Sequence, residues 1–371
     1  MGFITRQSTC DLLNKISLVL LLHLFIFVSE SRADKNAGDN SVPAIFVFGD
    51  STSDPGNNNF IGTSFKSNFP PYGKDFTNHT ATGRFTNGLL ANDFIARYVG
   101  VKDYVPPYLD PSLDIKELAT GVSFASAGSG FDPLTPTISN VISLSKQLEY
   151  FKEYKRKLEA GIGKEKTKHV ITNALFIVCA GTNDFIVNYY TLPIRRRSYD
   201  LQAYMDFLLK QVHQFMEDLI DGGARRIGVP GMTPIGCLPI VITLYSSNPI
   251  TNRTCIESLS SVAKDYNIKL QKELYSLQLC NAKSGSRIAY LDSYTLMQDI
   301  VTNSSKFGFK VADRGCCGTG IIEAAFICNR GSVLCSNTSN YVYWDSIHPT
   351  ERVYRLAVEA FRPTLDFIIN R

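Results

Sequence analysis

The chain of 371 residues is poor in net charge, in histidine and in long apolar runs. Lys plus Arg number 38 against 34 Asp plus Glu, so the net charge is only +4. A nucleic-acid binder needs a basic excess or stripe, and neither is present, so no nucleic-acid partner is expected. At 44% hydrophobic residues the composition also lies outside the disordered class. No Cys-x-x-Cys pair occurs and no His stands at ligand spacing, which argues against a zinc site. No metal and no cofactor are expected. The Gly-x-Ser-x-Gly elbow of an ordinary α/β-hydrolase is missing too. Nothing resembling a repeat, a low-complexity tract or a linker divides the chain, so residues 34–371 are expected to form one domain.

What is present begins with residues 1–33. Arg6 and Lys15 precede the apolar run 16–28 (ISLVLLLHLFIFV), which is followed by a small-x-small site ending at Ala33. The run falls short of the ~18–20 residues that span a bilayer. It reads as a secretory signal peptide, and no later stretch approaches spanning length. Export to the extracellular space is therefore expected, with no transmembrane anchor. Sequons at Asn78, Asn252, Asn303 and Asn337 fall in polar, turn-like stretches and predict N-linked glycans. Cys237 and Cys255 bracket one loop, and Cys316, Cys317, Cys328 and Cys335 crowd another. In an oxidising compartment these read as disulfides, of undetermined pairing, whereas Cys179 sits in an apolar run as a buried thiol.

Five apolar runs bounded by Gly, Asp, Asn or Pro read as buried strands: 44–48, 122–125, 174–180, 226–229 and 287–291. Helical periodicity marks 201–220, with Gly222 at the C-cap, then 262–277 and a last helix from about Thr350. Strands alternating with helices predict a parallel sheet covered on both faces, with chemistry at the strands' carboxyl ends.

Those ends carry a sequence of reactive side chains. The first run exits through Gly49-Asp50-Ser51, where Ser51 can present its hydroxyl to the cleft at the start of a following helix. The second ends in Ser126-Ala127-Gly128-Ser129-Gly130, whose small residues allow close backbone approach. The third ends in Gly181-Thr182-Asn183-Asp184, where the Asn amide can donate to a developing oxyanion. Among the histidines, His23 lies in the signal peptide, His79 in a sequon, His169 after a Lys-rich stretch and His213 off the apolar stripe of its helix. That leaves His348, kept out of the helical region by Pro349. Asp345, three residues earlier, can accept from Nδ1 and leave Nε2 as a base. A nucleophile, two oxyanion donors and a base thus fall in order along the chain.

The pattern resembles the GDSL-type lipase/esterase family of the SGNH hydrolases, in its secreted plant branch. The resemblance is carried by Phe46 to Ser51, Asp54 with Gly56 to Asn59, Gly83 to Gly88, Phe124 to Gly130, Gly181 to Asp184, Pro234 to Cys237, Cys316 to Gly320, and Trp344-Asp345 with His348 to Glu351. One departure stands in the name motif, where Thr52 occupies the usual Leu position. The resemblance implies a three-layer α/β/α flavodoxin-like sandwich around a five-stranded parallel sheet. It also implies acyl transfer through a Ser51 acyl-enzyme, with His348 as base and Asp345 steadying it. The oxyanion hole would comprise the Ser51 and Gly128 N–H groups and the Asn183 amide, with Gly128 preferred over Gly130. The expected substrate is a small-molecule or polymeric ester, from an acyl lipid or an esterified wall component. The same triad would serve an extracellular acyltransferase that builds polyester, and a non-catalytic secreted glycoprotein would have kept only the fold.

Overall fold

The computed structural model describes residues 42–370, so the signal peptide expected at residues 1–33 lies outside the described residues. Period-2 alternation builds the sheet. Phe46, Phe48, Phe176 and Val178 pack into one core layer, while Ile45, Val47, Leu175 and Ile177 pack into a second on the other face. Both faces are apolar because both are covered, which is why the runs read as continuous. The strands are β1 (Ile45–Gly49), β2 (Leu175–Cys179), β3 (Arg226–Pro230) and β4 (Arg287–Leu291). They pair in parallel in the order β1-β2-β3-β4.

The run 122–125 joins this sheet beside β1 through a single parallel bridge, Val47 to Ser123, so the regular ladder has four strands rather than five. Its inner edge bonds to β1: Val47 N–H donates to Val122 and Phe124 N–H to Val47. Its outer carbonyls are taken instead by the Asn57 side chain, at 2.8 Å from both Ser123 O and Ala125 O, and by Tyr108 N–H. These contacts cap the edge and stop the segment from extending as a regular strand. Counting it, the spatial order is the 2-1-3-4-5 of a flavodoxin-like sheet, with the switch of direction beside β1.

The longer helices among the described residues are α1 (Ala91–Tyr98), α2 (Leu144–Ile162), α3 (Lys164–Asn173), α4 (Leu201–Asp221), α5 (Glu257–Asn281), α6 (Ser293–Thr302) and α7 (Glu351–Ile369). Apolar faces of α2, α4 and α5 cover the first face. α1 and α7 cover the second, through Ile95, Val358, Phe361 and Leu365. The result is a three-layer α/β/α architecture. Asp200 caps α4 by accepting from Ala203 N–H, and Gly222 ends it where the sequence places a C-cap. The periodic stretch 262–277 is the middle of the longer α5. A short parallel pair, β5 (Val311–Gly315) with β6 (Tyr341–Tyr343), lies outside the main sheet and carries the chain to residues 345–348.

Candidate active site

β1 delivers Asp50 and Ser51 into the crevice at the switch point. No helix starts there, contrary to the expectation that Ser51 would open one. The Asp50 carboxylate folds back to accept Thr52 N–H at 3.0 Å and the Thr52 hydroxyl at 2.9 Å, closing a turn instead. Pro55 and Gly56 then carry the chain into a short 3-10 turn, Asn57–Phe60.

From the other end of the chain, β6 hands on to Trp344 and the turn that holds His348. Asp345 Oδ1 accepts the backbone N–H of Ile347 at 2.8 Å and of His348 at 2.7 Å, so the carboxylate shapes its own loop. His348 Nδ1 lies 2.7 Å from Asp345 Oδ2, and His348 Nε2 lies 2.8 Å from Ser51 Oγ. Asp345 is fully buried, and His348 is nearly so beneath the Phe85 ring. Residues 297 positions apart in sequence therefore form one unbroken hydrogen-bonded chain.

Ser51 and Asn183 both line a cavity of about 120 Å³. Gly128 is not among its lining residues. It sits on an adjoining turn at φ +86°, a conformation that favours glycine. Asn183 Nδ2 donates to Ser129 O at 2.9 Å, tying that turn to the end of β2. An amide has two N–H groups, so this bond leaves one to serve a ligand. At Gly130 a Cβ would collide with the Asp184 carboxylate, which gives that glycine a packing reason of its own.

A GDSL-like lipase/acylhydrolase family model matches residues 45–361. The chain belongs to that family. A GDSL esterase/lipase of Arabidopsis thaliana is 56% identical over 89% of this chain and 88% of its own length. A second from the same plant is 45% identical over 86% and 88%. Among solved structures, a catalytic mutant of an acetylxylan esterase from Geobacillus stearothermophilus aligns over 88% of this chain and 94% of its own. Its identity is 12% and its TM-score 0.38. As a GDSL esterase/lipase relative, the protein is a carboxylic-ester hydrolase.

The supports of this GDSL site include one residue without a sequence signal, Tyr72, and two, Asp54 and Asp184, from blocks that carry the resemblance. Tyr72 OH donates to Asp345 Oδ2 at 2.7 Å in a buried contact, and nothing in Pro70-Pro71-Tyr72 announces it. Asp54 accepts from Gly56, Asn57 and Ala127 N–H, locking the Gly56 to Asn59 block onto the turn before Gly128. Burial pushes its carboxyl up to about 6 despite these donors. Asp184 holds the same turn from the other side, accepting from Phe131 and Asp132 N–H and from the Thr135 hydroxyl. Burial raises it to about 7. Thr52, the departure from the motif, shares its hydroxyl between Asp50 and the Cys179 sulfur at 3.3 Å, a contact Leu could not make.

The remaining sequence-based sites are spread over the surface. Asn78, Asn252, Asn303 and Asn337 are all exposed. His79 and His169 are exposed too, whereas His213 is half-buried and pairs with Glu273 at 2.6 Å. Disulfides join Cys237 to Cys255, Cys316 to Cys335 and Cys317 to Cys328. Cys179 is half-buried rather than fully buried and lines the cavity. Among the described residues, no helix is long and apolar enough to cross a membrane.

Proposed function

We propose that this GDSL hydrolase is exported and cleaves esters of acyl lipids or of esterified wall components through a Ser51 acyl-enzyme. The observation that supports it most is the buried chain Ser51–His348–Asp345 at 2.8 and 2.7 Å. In this reading His348 Nε2 takes the Ser51 proton as Oγ bonds to the ester carbonyl carbon. Asp345 holds the imidazole by Nδ1 and stabilises the imidazolium. The carbonyl oxygen, now an oxyanion, is met by the Ser51 and Gly128 N–H groups and the Asn183 amide. As the tetrahedral centre collapses, His348 returns the proton to the departing alkoxide, and an alcohol leaves. Water then repeats the cycle on the acyl-enzyme and releases the acid.

The test is labelling by an organophosphonate probe. The wild-type chain should label at Ser51 and the Ser51→Ala variant not at all. Label at another serine overturns the nucleophile, and no label anywhere returns the protein to a non-catalytic secreted glycoprotein. Product analysis with an added alcohol separates hydrolysis from acyl transfer, since an acyltransferase would yield the new ester in place of the free acid. Export and glycosylation at Asn78, Asn252, Asn303 and Asn337 are tested by the mobility of secreted protein before and after glycan removal.

A further inference from the structure

Asp345 is held from outside its own loop as well as from within it. A carboxylate offers about four acceptor sites. Three are taken locally: Oδ1 accepts Ile347 and His348 N–H at 2.8 and 2.7 Å, and Oδ2 faces His348 Nδ1 at 2.7 Å. The fourth is filled by the Tyr72 hydroxyl, which donates to Oδ2 at 2.7 Å. Tyr72 belongs neither to the nucleophile's strand nor to the base's loop. It follows Pro70-Pro71, and its ring is wedged among Phe69, Phe85 and Trp344 at centroid distances of 5.9, 5.7 and 6.2 Å. Phe85 also packs on the His348 ring at 5.0 Å. Aromatic packing thus fixes the phenol and aims its hydroxyl at the carboxylate. The backbone N–H of Ala325 approaches the same oxygen, which leaves the phenol proton for Asp345.

What this bond does follows from the burial of Asp345. The residue is 0% exposed, so bulk water does not reach a vacated acceptor site. Without the hydroxyl, one buried lone pair loses a charge-assisted hydrogen bond. The anion would then pull harder on the proton of His348 Nδ1 and stabilise the imidazolium more. A histidine that keeps its proton cannot take one from Ser51. Tyr72 itself stays a donor, because burial and the Asp345 charge push its phenol well above the ordinary range. The other ionisable groups around the imidazole are Asp50 at the end of β1, whose charge acts on His348, and beside it Cys179 on β2 and Tyr354 on α7. Burial pushes the thiol up to about 12 and the Tyr354 phenol well above its ordinary range. Neither ionises near neutral pH, and Asp50 is common to proteins that differ only at residue 72.

We propose that Tyr72 is a positioning residue for ester hydrolysis: its hydroxyl satisfies the last acceptor site of Asp345, limits how firmly that carboxylate holds the His348 proton, and so sets how far below neutral pH His348 still works as a base. The proposal rests on the Ser51 esterase reading, in which His348 is that base.

The experiment measures kcat/KM for p-nitrophenyl butyrate on the full secreted protein between about pH 5 and 8. In Tyr72→Phe the ring packing remains and only the hydroxyl goes. Its acid limb should move up by about half to one pH unit, a loss of roughly three- to tenfold at the foot of the limb, with the plateau within about threefold of wild type. Replacing Tyr72 with 3-fluorotyrosine gives a stronger donor of nearly the same shape, and there the limb should move down. A limb that stays in place or moves down in Tyr72→Phe overturns the proposal, since a merely structural tyrosine would cost stability and plateau alone. If Tyr72→Phe does not fold, the fluorinated protein decides: a downward shift supports the proposal and an unmoved limb overturns it. If the wild-type protein turns over no ester, the esterase reading fails separately. The proton NMR signal of His348 Nδ1–H then still tests the bond: a downfield move in Tyr72→Phe supports a tighter grip by Asp345, and an unchanged signal overturns it.

Discussion

Ser51 and His348 meet at 2.8 Å, but the chain delivers them by two different kinds of structure. The serine stands at the end of a central strand. Asp50 N–H beside it donates to Cys179 O on β2, and the Gln147 side chain bonds both Gly49 N–H and Gly49 O at 2.9 Å. Sheet register and the Gln147 side chain of α2 together set its position. The histidine stands on a loop after a strand of three residues, held by a patchwork. Cys316 and Cys317 N–H donate to Tyr343 O and Trp344 O, Ser346 N–H donates to Glu323 O, and Ile240 N–H donates to Ser346 O. Disulfides from Cys316 and Cys317 close the loop that makes these contacts. The sheet side is fixed by the fold as a whole, and the base side by cross-links that can be cut one at a time. Damage to the base side should therefore disable the site while the sheet persists.

The strongest test of that asymmetry removes the carboxylate that shapes the base loop. Asp345→Asn keeps the size of the side chain but offers Nδ1 an amide in place of an anion. Turnover should fall by about 10⁴, with the thermal transition of the sheet retained. A loss below tenfold would break the comparison, because His348 would then be held by something other than Asp345.

On the sheet side the corresponding probe is Asn183→Ala, which deletes one proposed oxyanion donor and its bond to Ser129. Here kcat should drop by roughly 10²–10³ with KM little changed. Near-wild-type turnover would remove Asn183 from the chemistry and leave it as a tether for the Gly128 turn. A smaller effect should come from cutting a cross-link. Replacing Cys316 and Cys335 together with Ser should cost about 2–4 kcal/mol of stability. Slackening of the His348 loop should lower turnover by roughly 10- to 100-fold, the usual consequence of a displacement near 1 Å. If stability falls and turnover does not, the loop is held by its backbone bonds alone.

The same asymmetry decides what can be read from the sequence. Ser51, Asn183 and the strands beneath them are legible because apolar runs ending in Gly-Asp-Ser or Gly-Thr-Asn-Asp announce strand termini. Asp345 and His348 are legible because their partnership is local, three residues apart. Tyr72 is not, since its bond to Asp345 spans 273 positions and rests on how loops pack. The run 122–125 reads as a full strand because periodicity reports burial, and burial does not distinguish a ladder from an edge capped by the Asn57 side chain. Helices α2 and α3 are masked by their many charged residues, which dilute the apolar stripe. β5 and β6 escape too, being short and lying outside the main sheet.

The smallest effect expected concerns pH, and it lies on the sheet side. Asp184 is fully buried and holds the turn before α2 through Phe131, Asp132 and Thr135. Burial raises its carboxyl from 3.8 to about 7, so the folded chain keeps a proton that the unfolded chain gives up. Stability from this group is therefore complete below about pH 4 and is lost as pH rises through about 7. An amide cannot ionise, so the Asp184→Asn variant should lack that decline. Denaturation midpoints measured from pH 4 to pH 8 should fall more steeply for the wild type. The gap between the two should open by on the order of 2–4 kcal/mol across that range. Because Asp184 steadies the turn from behind and does not reach the cavity, turnover at pH 6 should change by less than about tenfold. Parallel pH profiles would show that Asp184 is ionised in the folded protein despite its burial. The sheet side would then owe its rigidity to a buried anion bound by three donors, much as the base side owes its own to Asp345.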